Sequence, residues 1–551
     1  MRKESFAALL SVWLAAAVPA AAQPSGQQVL TFRSELDGSE QPYAVYVPKT
    51  LDAGRRYPLI VVLHEVGANH QVALRRIFGL EPRANAGPVR GSAALPGIDF
   101  IVVAPLARGR IGYEGVGEKD IYDAIEDVKR RFPIDEDRVY LTGAASGGGG
   151  ALRLALARPD FWAAVAPACP MAREGLEELA ANAINLPIHL FHGELDPLVP
   201  VTVARNWHAA LLDAGAPVEY VEFPRVRHNA WDFAYRGGRV LEWFAQRKRD
   251  RYPERVHYTS STYRHASAYW VRLDALTPGT PAAIDARFTS RNALQIQTRN
   301  LDGFTLELSD HPQFASRQPL SIAIDSARPV RIARPTATLS FQRGANGWQA
   351  GRSALPAGGK RPRAEGPMRE AILERHIYVY GMADDPDDRE LDRRIEVARE
   401  AAQWGPDGAR VRFTPEILSD REVLEEDLRS ANLILFGTRA TNALIERFAA
   451  RFPIELNVGA ADYGLAFLVP DNGRYLMVSS GLPWWIGAEH LKLWNEPYVG
   501  PRYGALLSFG DYLLFRGSLE NVIAQGRFDR HWKVPEDQAA KMVESGAVQV
   551  R

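Results

Sequence analysis

Three residues in the first half of the chain have the types and the chain order that serine-type hydrolysis requires. Ser146 lies in "YLTGAASGGGG", Asp196 in "FHGELDPLVPV" and His228 in "FPRVRHNAWDFAY". Hydrolysis of an ester or amide by this route needs a hydroxyl, a histidine that takes its proton, a carboxylate that orients the histidine, and backbone N–H groups that face the oxyanion. We therefore predict Ser146, Asp196 and His228 as candidate catalytic residues.

The serine stands one position later than the motif Gly-x-Ser-x-Gly requires. Aligned with that motif, the sequence reads Gly143, Ala144, Ala145, Ser146, Gly147. Ala145 then occupies the nucleophile position, and Ser146 supplies only a backbone N–H and a helix cap. A turn shifted by one residue would make Ser146 the nucleophile, at the cost of inverting the faces of the preceding strand. Three interpretations stay open: a natural chain without a nucleophile, a shifted turn with an active Ser146, and an engineered serine-to-alanine change.

The elements around these residues alternate between strand and helix patterns. Short apolar runs typical of strands buried on both faces are "YPLIVVLHEVG", "GIDFIVVAPLA", "RVYLTG", "LPIHLFHG" and "VEYVEFP". Helical patterns between them are "KDIYDAIEDVKRRF", "ALRLALARPDFWAAV" and "VTVARNWHAALLDAG". The alternation predicts an α/β fold, a parallel sheet covered by helices. Such sheets build their sites at the carboxyl ends of the strands, which is where Asp196 and His228 would lie.

Residues from about Tyr43 to Phe244 resemble the α/β-hydrolase superfamily, and most of all its secreted polyhydroxybutyrate-depolymerase-like, feruloyl-esterase-like and prolyl-oligopeptidase-like esterases. The resemblance is carried by "DRVYLTG", "GGGGALRLALARPDFWAAVAP", "HGELDPLVP" and "HNAWDFAY". It implies that Asp196 is the triad acid and His228 the base.

The resemblance also implies where the oxyanion is bound. The donors would be the backbone N–H of Ser146 and one from "LHEVGAN", near Glu65 or Val66. The family usually has glycine after the histidine of that loop, whereas Glu65 stands there in this chain. We expect the Glu65 side chain to narrow the approach to the oxyanion.

The chain is long enough for several domains. We predict a signal peptide at 1–22, an α/β-hydrolase domain at 23–250, a β-rich module at 255–345, a linker at 346–366 and a smaller C-terminal α/β domain of flavodoxin-like type at 367–551. The first residues have a basic start, an apolar run and small residues before Gln23, so we expect export to the periplasm or beyond. Short alternating segments between turn residues predict that the β module is antiparallel.

Composition limits the classes of partner. Lys plus Arg and Asp plus Glu number 66 each, so no global charge attracts nucleic acid, and no later apolar run has the length of a membrane span. Cys169 is the only cysteine, which excludes an intramolecular disulfide and a multi-cysteine metal cage. His64 and His70 are six apart, which does not fit the zincin spacing. We expect no metal and no cofactor, and the oligomeric state stays open.

Three features of the C-terminal half have possible binding roles. Gly437 follows a strand and would open a helix that receives an anion, although the nucleotide-binding motifs are missing. The acidic run "DDPDDRELDRR" is typical of a solvated helix start. Trp484, Trp485 and Trp494 form either a binding surface or an inter-domain contact.

The sequence supports three hypotheses of function. The first is an exported serine-type carboxylester hydrolase, acting on small or polymer-linked and glycan-linked esters. The second is a pseudo-hydrolase that binds an ester-bearing glycan, lignin-type aromatic or polyester without cutting it, with Trp162, Trp207 and Trp231 either as stacking surfaces or as core residues. The third is an envelope scaffold or assembly protein.

Overall fold

A computed structural model describes residues 25–49, 51–52, 54–80, 99–173, 175–352, 355, 357–405, 411–491 and 499–551. The predicted signal peptide and Trp494 lie outside these residues. Within the described ranges, no helix has both the length and the apolar character needed to cross a membrane.

The first part of the described chain is built around one eight-stranded sheet. Its strands are β1 (Gly26–Arg33), β2 (Glu40–Val47), β3 (Tyr57–Leu63), β4 (Ile101–Pro105), β5 (Ile134–Ala144), β6 (Ala164–Ala168), β7 (Ile188–Gly193) and β8 (Val218–Phe223). They lie in the order β1-β2-β4-β3-β5-β6-β7-β8, and β2 runs against the direction of its neighbours. Because β3, β4, β6 and β7 are covered on both faces, their residues are nearly all buried and mostly apolar. This is the α/β-hydrolase topology.

Helices cover both faces of this sheet. They are α1 (His70–Ile77), α2 (Val116–Arg131), α3 (Ser146–Ala157), α4 (Val201–Asp213), α5 (Trp231–Ala234) and α6 (Arg239–Ala245), with 3-10 helices at Leu176–Ala183 and Arg236–Gly238. One prediction was wrong: the helical pattern "ALRLALARPDFWAAV" ends at Ala157, and Ala164 already begins β6. Pro159 limits the helix, and β6 is too rich in alanine to show a strand pattern in the sequence.

The second part of the described chain is a β-sandwich. Its strands are β9 (Arg255–Ser260), β10 (Ser267–Ala268), β11 (Val271–Leu276), β12 (Ala282–Ser290), β13 (Ala293–Arg299), β14 (Leu301–Glu307), β15 (Leu320–Ile324), β16 (Val330–Ile332), β17 (Thr338–Gly344) and β18 (Gly347–Ala350). They form two five-stranded sheets, β10-β11-β14-β17-β18 and β16-β15-β13-β12-β9, which share one apolar core. All strand pairs described there are antiparallel, as predicted, except β13 with β15. Strand β18 pairs with β17, so the sandwich includes four residues of the predicted linker.

The C-terminal part contains a mixed sheet of seven strands within the described residues. Its elements are a 3-10 helix (Met368–Ile372), β19 (His376–Tyr380), α7 (Asp388–Ala401), β20 (Glu416–Ser419), α8 (Glu425–Ser430), β21 (Asn432–Phe436), α9 (Ala443–Phe448), a 3-10 helix (Ala449–Arg451), β22 (Ile454–Leu456), β23 (Tyr463–Asp471), β24 (Arg474–Gly481), a 3-10 helix (Ala488–His490), α10 (Pro501–Ser508), β25 (Tyr512–Arg516), β26 (Val522–Gly526), α11 (Glu536–Glu544) and β27 (Val548–Val550). The order is β20-β19-β21-β24-β23-β25-β26, and β22 pairs separately with β27. The first four strands are parallel and begin in the flavodoxin-like order, whereas β23, β25 and β26 add an antiparallel half.

Two sequence predictions for this part have clear outcomes. The acidic run begins α7, because the Asp387 side chain caps the helix by accepting a hydrogen bond from the N–H of Glu390 at 2.8 Å. Gly437 does follow a strand, at φ 117°, but it does not open a helix: α9 begins only at Ala443, capped by Asn442. The prediction that Gly437 opens the helix is therefore wrong, and the helix start considered for an anion lies six residues further along the chain.

The first and third parts are joined by a buried ion cluster around Arg108. Its guanidinium lies 2.7 Å from Asp37 and 2.8 Å from Asp120, and all three side chains are almost completely buried. Arg108 also donates a hydrogen bond to the carbonyl of Arg412, and Asp37 accepts one from the N–H of Thr414, both at 2.9 Å. Because a buried charge requires partners, this cluster fixes the C-terminal part against the hydrolase-like part.

Candidate active site

The turn between β5 and α3 has a strained backbone at Ala145. This residue has φ 51° and ψ −112°, and α3 begins at the next residue, Ser146. The N–H of Ala145 donates to the carbonyl of Ala168 at 2.9 Å, and its own carbonyl accepts from the N–H groups of Gly149 and Met171. A positive φ is uncommon for a residue with a side chain. Ala145, not Ser146, therefore has the backbone geometry that a nucleophile elbow gives to its central residue.

Two glycines enclose this turn and fix its register. A Cβ atom on Gly143 would lie 2.3 Å from the carbonyl oxygen of Gly147, and a Cβ on Gly147 would lie 2.5 Å from that of Leu63. These positions are two before and two after Ala145, where the elbow needs the smallest residues. The close packing of strand, turn and helix thus matches the register centred on Ala145.

Ser146 points its hydroxyl toward the loop after β3. Its Oγ accepts a hydrogen bond from the N–H of Val66 at 3.0 Å, and no hydrogen bond joins this Oγ to His228 in the described part of the chain. The hydroxyl of Tyr113 anchors the same loop by donating to the carbonyl of His64 at 2.6 Å. Val66 is one of the two predicted loop positions for the oxyanion donor, and here its N–H is already paired.

The Glu65 carboxylate is held beside the same loop. It forms an ion pair with Arg76 of α1, and both side chains are largely buried. The Arg76 guanidinium in turn lies 5.5 Å from the ring centre of Trp231. The Glu65 side chain is therefore fixed in an ion pair beside this loop.

Asp196 and His228 form a pair at the carboxyl ends of β7 and β8. The Nδ1–H of His228 donates to Oδ2 of Asp196 at 2.7 Å, and Oδ1 of Asp196 accepts the N–H groups of Leu198 and Val199 at 2.9 and 3.0 Å. Burial alone would raise the pKa of Asp196, but the hydrogen bonds from Val199, His228 and Leu198 hold that pKa below its ordinary value. An ionised Asp196 keeps the proton on Nδ1, so Nε2 of His228 presents its lone pair.

Sequence reasoning missed a second histidine on the same carboxylate. The Nε2–H of His192 donates to the carbonyl of Val199 at 2.9 Å and lies 3.4 Å from Oδ2 of Asp196. Burial lowers the pKa of His192, so this ring is a neutral support for the Asp196 loop. The sequence feature that could have identified His192 is its position four residues before Asp196, at the end of a buried strand.

Cys169, His192 and Asp196 are the only described residues whose ligand atoms could surround a metal, lying within 4.8 Å of one another. All three groups already have partners, since the Cys169 thiol donates to the carbonyl of His228 at 3.1 Å. Burial raises the pKa of this thiol to about 12, which opposes the thiolate that a metal requires. The cluster therefore fits a hydrogen-bonded support for His228 better than a metal site.

The predicted aromatic surfaces are core residues. Trp162, Trp207 and Trp231 are at most 7% exposed, and Trp231 packs edge-on against the His228 ring at 5.1 Å. Trp484 and Trp485 are also buried, within the C-terminal core. Of the two alternatives that the sequence left open, packing is therefore the one found for these five residues, because an apolar ring gains more from burial than from exposure.

A cleft of about 890 Å³ reaches this turn from between the three parts of the chain. Val66, Tyr113, Ser146 and Arg153 contribute from the hydrolase-like part. The β-sandwich contributes Thr259 to Thr262, Arg264 and His265, and the C-terminal part contributes Arg369, Glu370 and Leu373. The volume is in the range of small-molecule sites.

Known proteins are similar to part of this chain. Residues 119–234, which contain Ala145, Asp196 and His228, match the phospholipase/carboxylesterase family. Among solved structures, the chain is similar to a thermostable esterase (27% identity, 40% of this chain and 63% of that one, TM-score 0.33), a ferulic acid esterase (16%, 41% and 99%, 0.34) and an S-formylglutathione hydrolase from Agrobacterium tumefaciens (18%, 40% and 95%, 0.32). No curated protein matches the chain.

The strand order, the strained turn and the family match define an α/β-hydrolase-fold protein. Within that fold class, residues 119–234 are similar to the phospholipase/carboxylesterase family.

Proposed function

We propose that this is an exported, esterase-like protein whose α/β-hydrolase domain binds a carboxylic ester without forming an acyl-enzyme. The observation that supports this proposal is Ala145 at the centre of the elbow, between Gly143 and Gly147, while Asp196 and His228 lie 2.7 Å apart. A methyl group cannot attack a carbonyl, so the first covalent step has no nucleophile. The groups that remain, Nε2 of His228 and the N–H of Val66, can still form hydrogen bonds with an ester-bearing ligand.

Two groups would contact the ester directly. Nε2 of His228 accepts a hydrogen bond from a ligand hydroxyl or from a water beside the ester. The ester carbonyl would accept from the N–H of Val66, but only after displacing Ser146 Oγ, which now lies 3.0 Å from that nitrogen. The Ser146 hydroxyl therefore competes with the ligand, and Ser146→Ala should bind an ester more tightly than the natural chain.

The competing proposal is a live hydrolase in which Ser146 attacks. It requires Ser146 Oγ to leave Val66 and reach His228, and it requires the turn to move by one residue against the packing of Gly143 and Gly147. Strand β5 is paired on both sides, Gly143 with Leu63 and Ala144 with Ala168, so this shift would break two registers. The third proposal, an envelope scaffold, gives the Asp196–His228 pair no role.

Fluorophosphonate labelling with peptide mapping separates these proposals. The purified chain, Ser146→Ala, Ala145→Ser, and Ala145→Ser with His228→Gln are labelled in parallel, and hydrolysis of p-nitrophenyl acetate is measured for each. We expect no labelling of the natural chain or of Ser146→Ala. We expect labelling at position 145 and ester hydrolysis in Ala145→Ser, and the loss of both when His228→Gln is added.

Two results would contradict the proposal. Labelling of the natural chain at Ser146, abolished in Ser146→Ala, would establish a shifted turn and a live hydrolase. A folded Ala145→Ser chain that neither labels nor hydrolyses the ester would show that the site does not bind esters, and would favour the scaffold. Export is tested separately, by sequencing the N-terminus of the secreted chain, which should begin at Gln23.

A further inference from the structure

The cleft between the three parts of the chain carries unpaired positive charge. Seven of its lining side chains are Lys or Arg and five are Asp or Glu. Four of these five acids lie within 4.0 Å of a basic side chain that also lines the cleft, as in the pairs Lys119–Asp123 and Arg264–Glu370, each at 2.6 Å. A ligand that enters the cleft therefore meets the basic side chains that have no such partner.

Three of the seven basic side chains are arginines without a carboxylate partner in the described chain. Arg158, Arg173 and Arg299 have no carboxylate within 4.0 Å among the residues that the structure describes, and Glu178 is the one lining acid in the same condition. Arg158 lies over the rings of Tyr122 and Phe161 at 4.6 and 4.7 Å. Arg173 and Arg299 are exposed and come from the hydrolase-like part and the sandwich respectively. A guanidinium is suited to a carboxylate, which it binds through two hydrogen bonds.

The rest of the lining is rich in hydroxyl groups. The segment from Thr259 to Thr262 has four hydroxyl-bearing side chains, of which Thr259 and Ser260 are buried and Ser261 and Thr262 are partly exposed. Tyr113, Tyr122 and Tyr258 add three rings. The hydroxyl of Tyr122 is buried and has no hydrogen-bond partner within the described chain. Hydroxyl groups and tyrosine rings are suited to a polyhydroxylated ligand rather than to an apolar polymer.

We propose that this cleft binds an acidic oligosaccharide, with uronic acid carboxylates on Arg173 and Arg299 and sugar hydroxyls on Ser261 and Thr262. Because Val66 and Ser146 line the same cleft, an ester group on that oligosaccharide would reach the elbow. This last step rests on the proposed function, whereas binding of the acidic sugar does not. The proposed ligand contacts come from the hydrolase-like part and the β-sandwich, and the C-terminal part lines the cleft beside them.

Calorimetric titration of the full chain tests the proposal. The probe is a galacturonate trimer, with xylotriose as the neutral sugar and inorganic phosphate as the simple anion. The test variant is Arg173→Gln with Arg299→Gln. The control variant is Arg291→Gln with Arg331→Gln, which removes the same charge from two exposed arginines of the sandwich outside the cleft. All four positions are exposed, so neither variant should fail to fold.

We expect the natural chain and the control variant to bind the galacturonate trimer equally, more weakly at high salt, and the test variant to bind at least about tenfold more weakly. The proposal is overturned if the natural chain does not bind the trimer, or if it binds xylotriose or phosphate as tightly as the trimer. It is also overturned if the test variant binds the trimer with unchanged affinity. This titration and the fluorophosphonate labelling test separate proposals. If the Ala145→Ser chain is labelled but the trimer does not bind, only the proposal of an acidic oligosaccharide is refuted. A trimer that binds to a chain whose Ala145→Ser variant stays unlabelled would refute only the ester site.

Discussion

Glu365 is a buried carboxyl group between the β-sandwich and the C-terminal part. Its two oxygens accept hydrogen bonds from the N–H groups of Tyr263 at 2.6 Å and Arg264 at 2.9 Å. Burial, followed by the nearby charge of Glu370, raises the pKa of Glu365 to about 7. The folded protein therefore holds a proton on Glu365 over a pH range in which the unfolded chain has released it.

The sign and size of the effect follow from the two pKa values. A raised pKa means that the folded state binds the proton more tightly, so the stabilisation is complete below pH 4.5 and is lost as the pH rises to about 7. The interval corresponds to about 3 kcal/mol of unfolding free energy. In Glu365→Gln the titrating proton is absent, so this part of the pH dependence should vanish.

Urea unfolding, followed at half-unit steps between pH 4.5 and 7.5, measures the difference. The stability of the natural chain should fall by about 3 kcal/mol relative to Glu365→Gln over this range. Glu254→Gln, at an exposed position of the same sandwich, serves as the control and should follow the natural chain. Curves for the natural chain and Glu365→Gln that stay parallel would refute the reasoning, because other titrating groups contribute equally to both.

Three further changes test the site and its support. In the Ala145→Ser background, Asp196→Asn should lower the rate of ester hydrolysis by about 10³- to 10⁴-fold, because His228 is no longer held in the tautomer with its proton on Nδ1. An unchanged rate would show that the Asp196–His228 pair takes no part in catalysis. Arg108→Met leaves two buried aspartates without a counter-charge and should lower the unfolding free energy, measured by urea titration, by about 3–5 kcal/mol. An unchanged free energy would contradict a stabilising role of the ion cluster. Gly147→Ala should cost about 2–3 kcal/mol in the same assay, because the added Cβ would lie 2.5 Å from a backbone carbonyl; equal stability would mean that the turn can move.

The sequence predicted most of the fold because its strands and helices have clear periods. The apolar runs of β3, β4, β5 and β7 and the alternating segments of the sandwich lie where the patterns indicated. Strand β6 was missed, because five residues of mostly alanine and valine carry no period that separates a strand from the end of a helix. The parallel pairing of β13 with β15 was also hidden, since strand direction depends on how the chain crosses over.

The site was less accessible from sequence because it depends on contacts between distant segments. Chain order identified Asp196 and His228, but nothing in the pattern shows that Val66 donates to Ser146, 80 residues away. His192 was missed for the same reason, since its role arises from the bend that returns Asp196 toward it. The cleft depends on side chains from three parts of the chain, and their meeting is a property of tertiary packing alone.

The strained turn at Ala145 is stabilised by interactions that do not require a nucleophile. Its positive φ costs about 1–3 kcal/mol, and that cost is met by hydrogen bonds to its N–H and carbonyl and by the close packing of two glycines. None of these interactions involves a hydroxyl at position 145, so the turn keeps its shape when the nucleophile is absent. The pair of Asp196 and His228 differs, because a buried ionised carboxylate and a ring nitrogen that has no hydrogen-bond partner among the described residues contribute little to packing. We therefore expect the function to involve His228 and the cleft. One hydroxyl at position 145 is the smallest change that would complete a triad with His228 and Asp196.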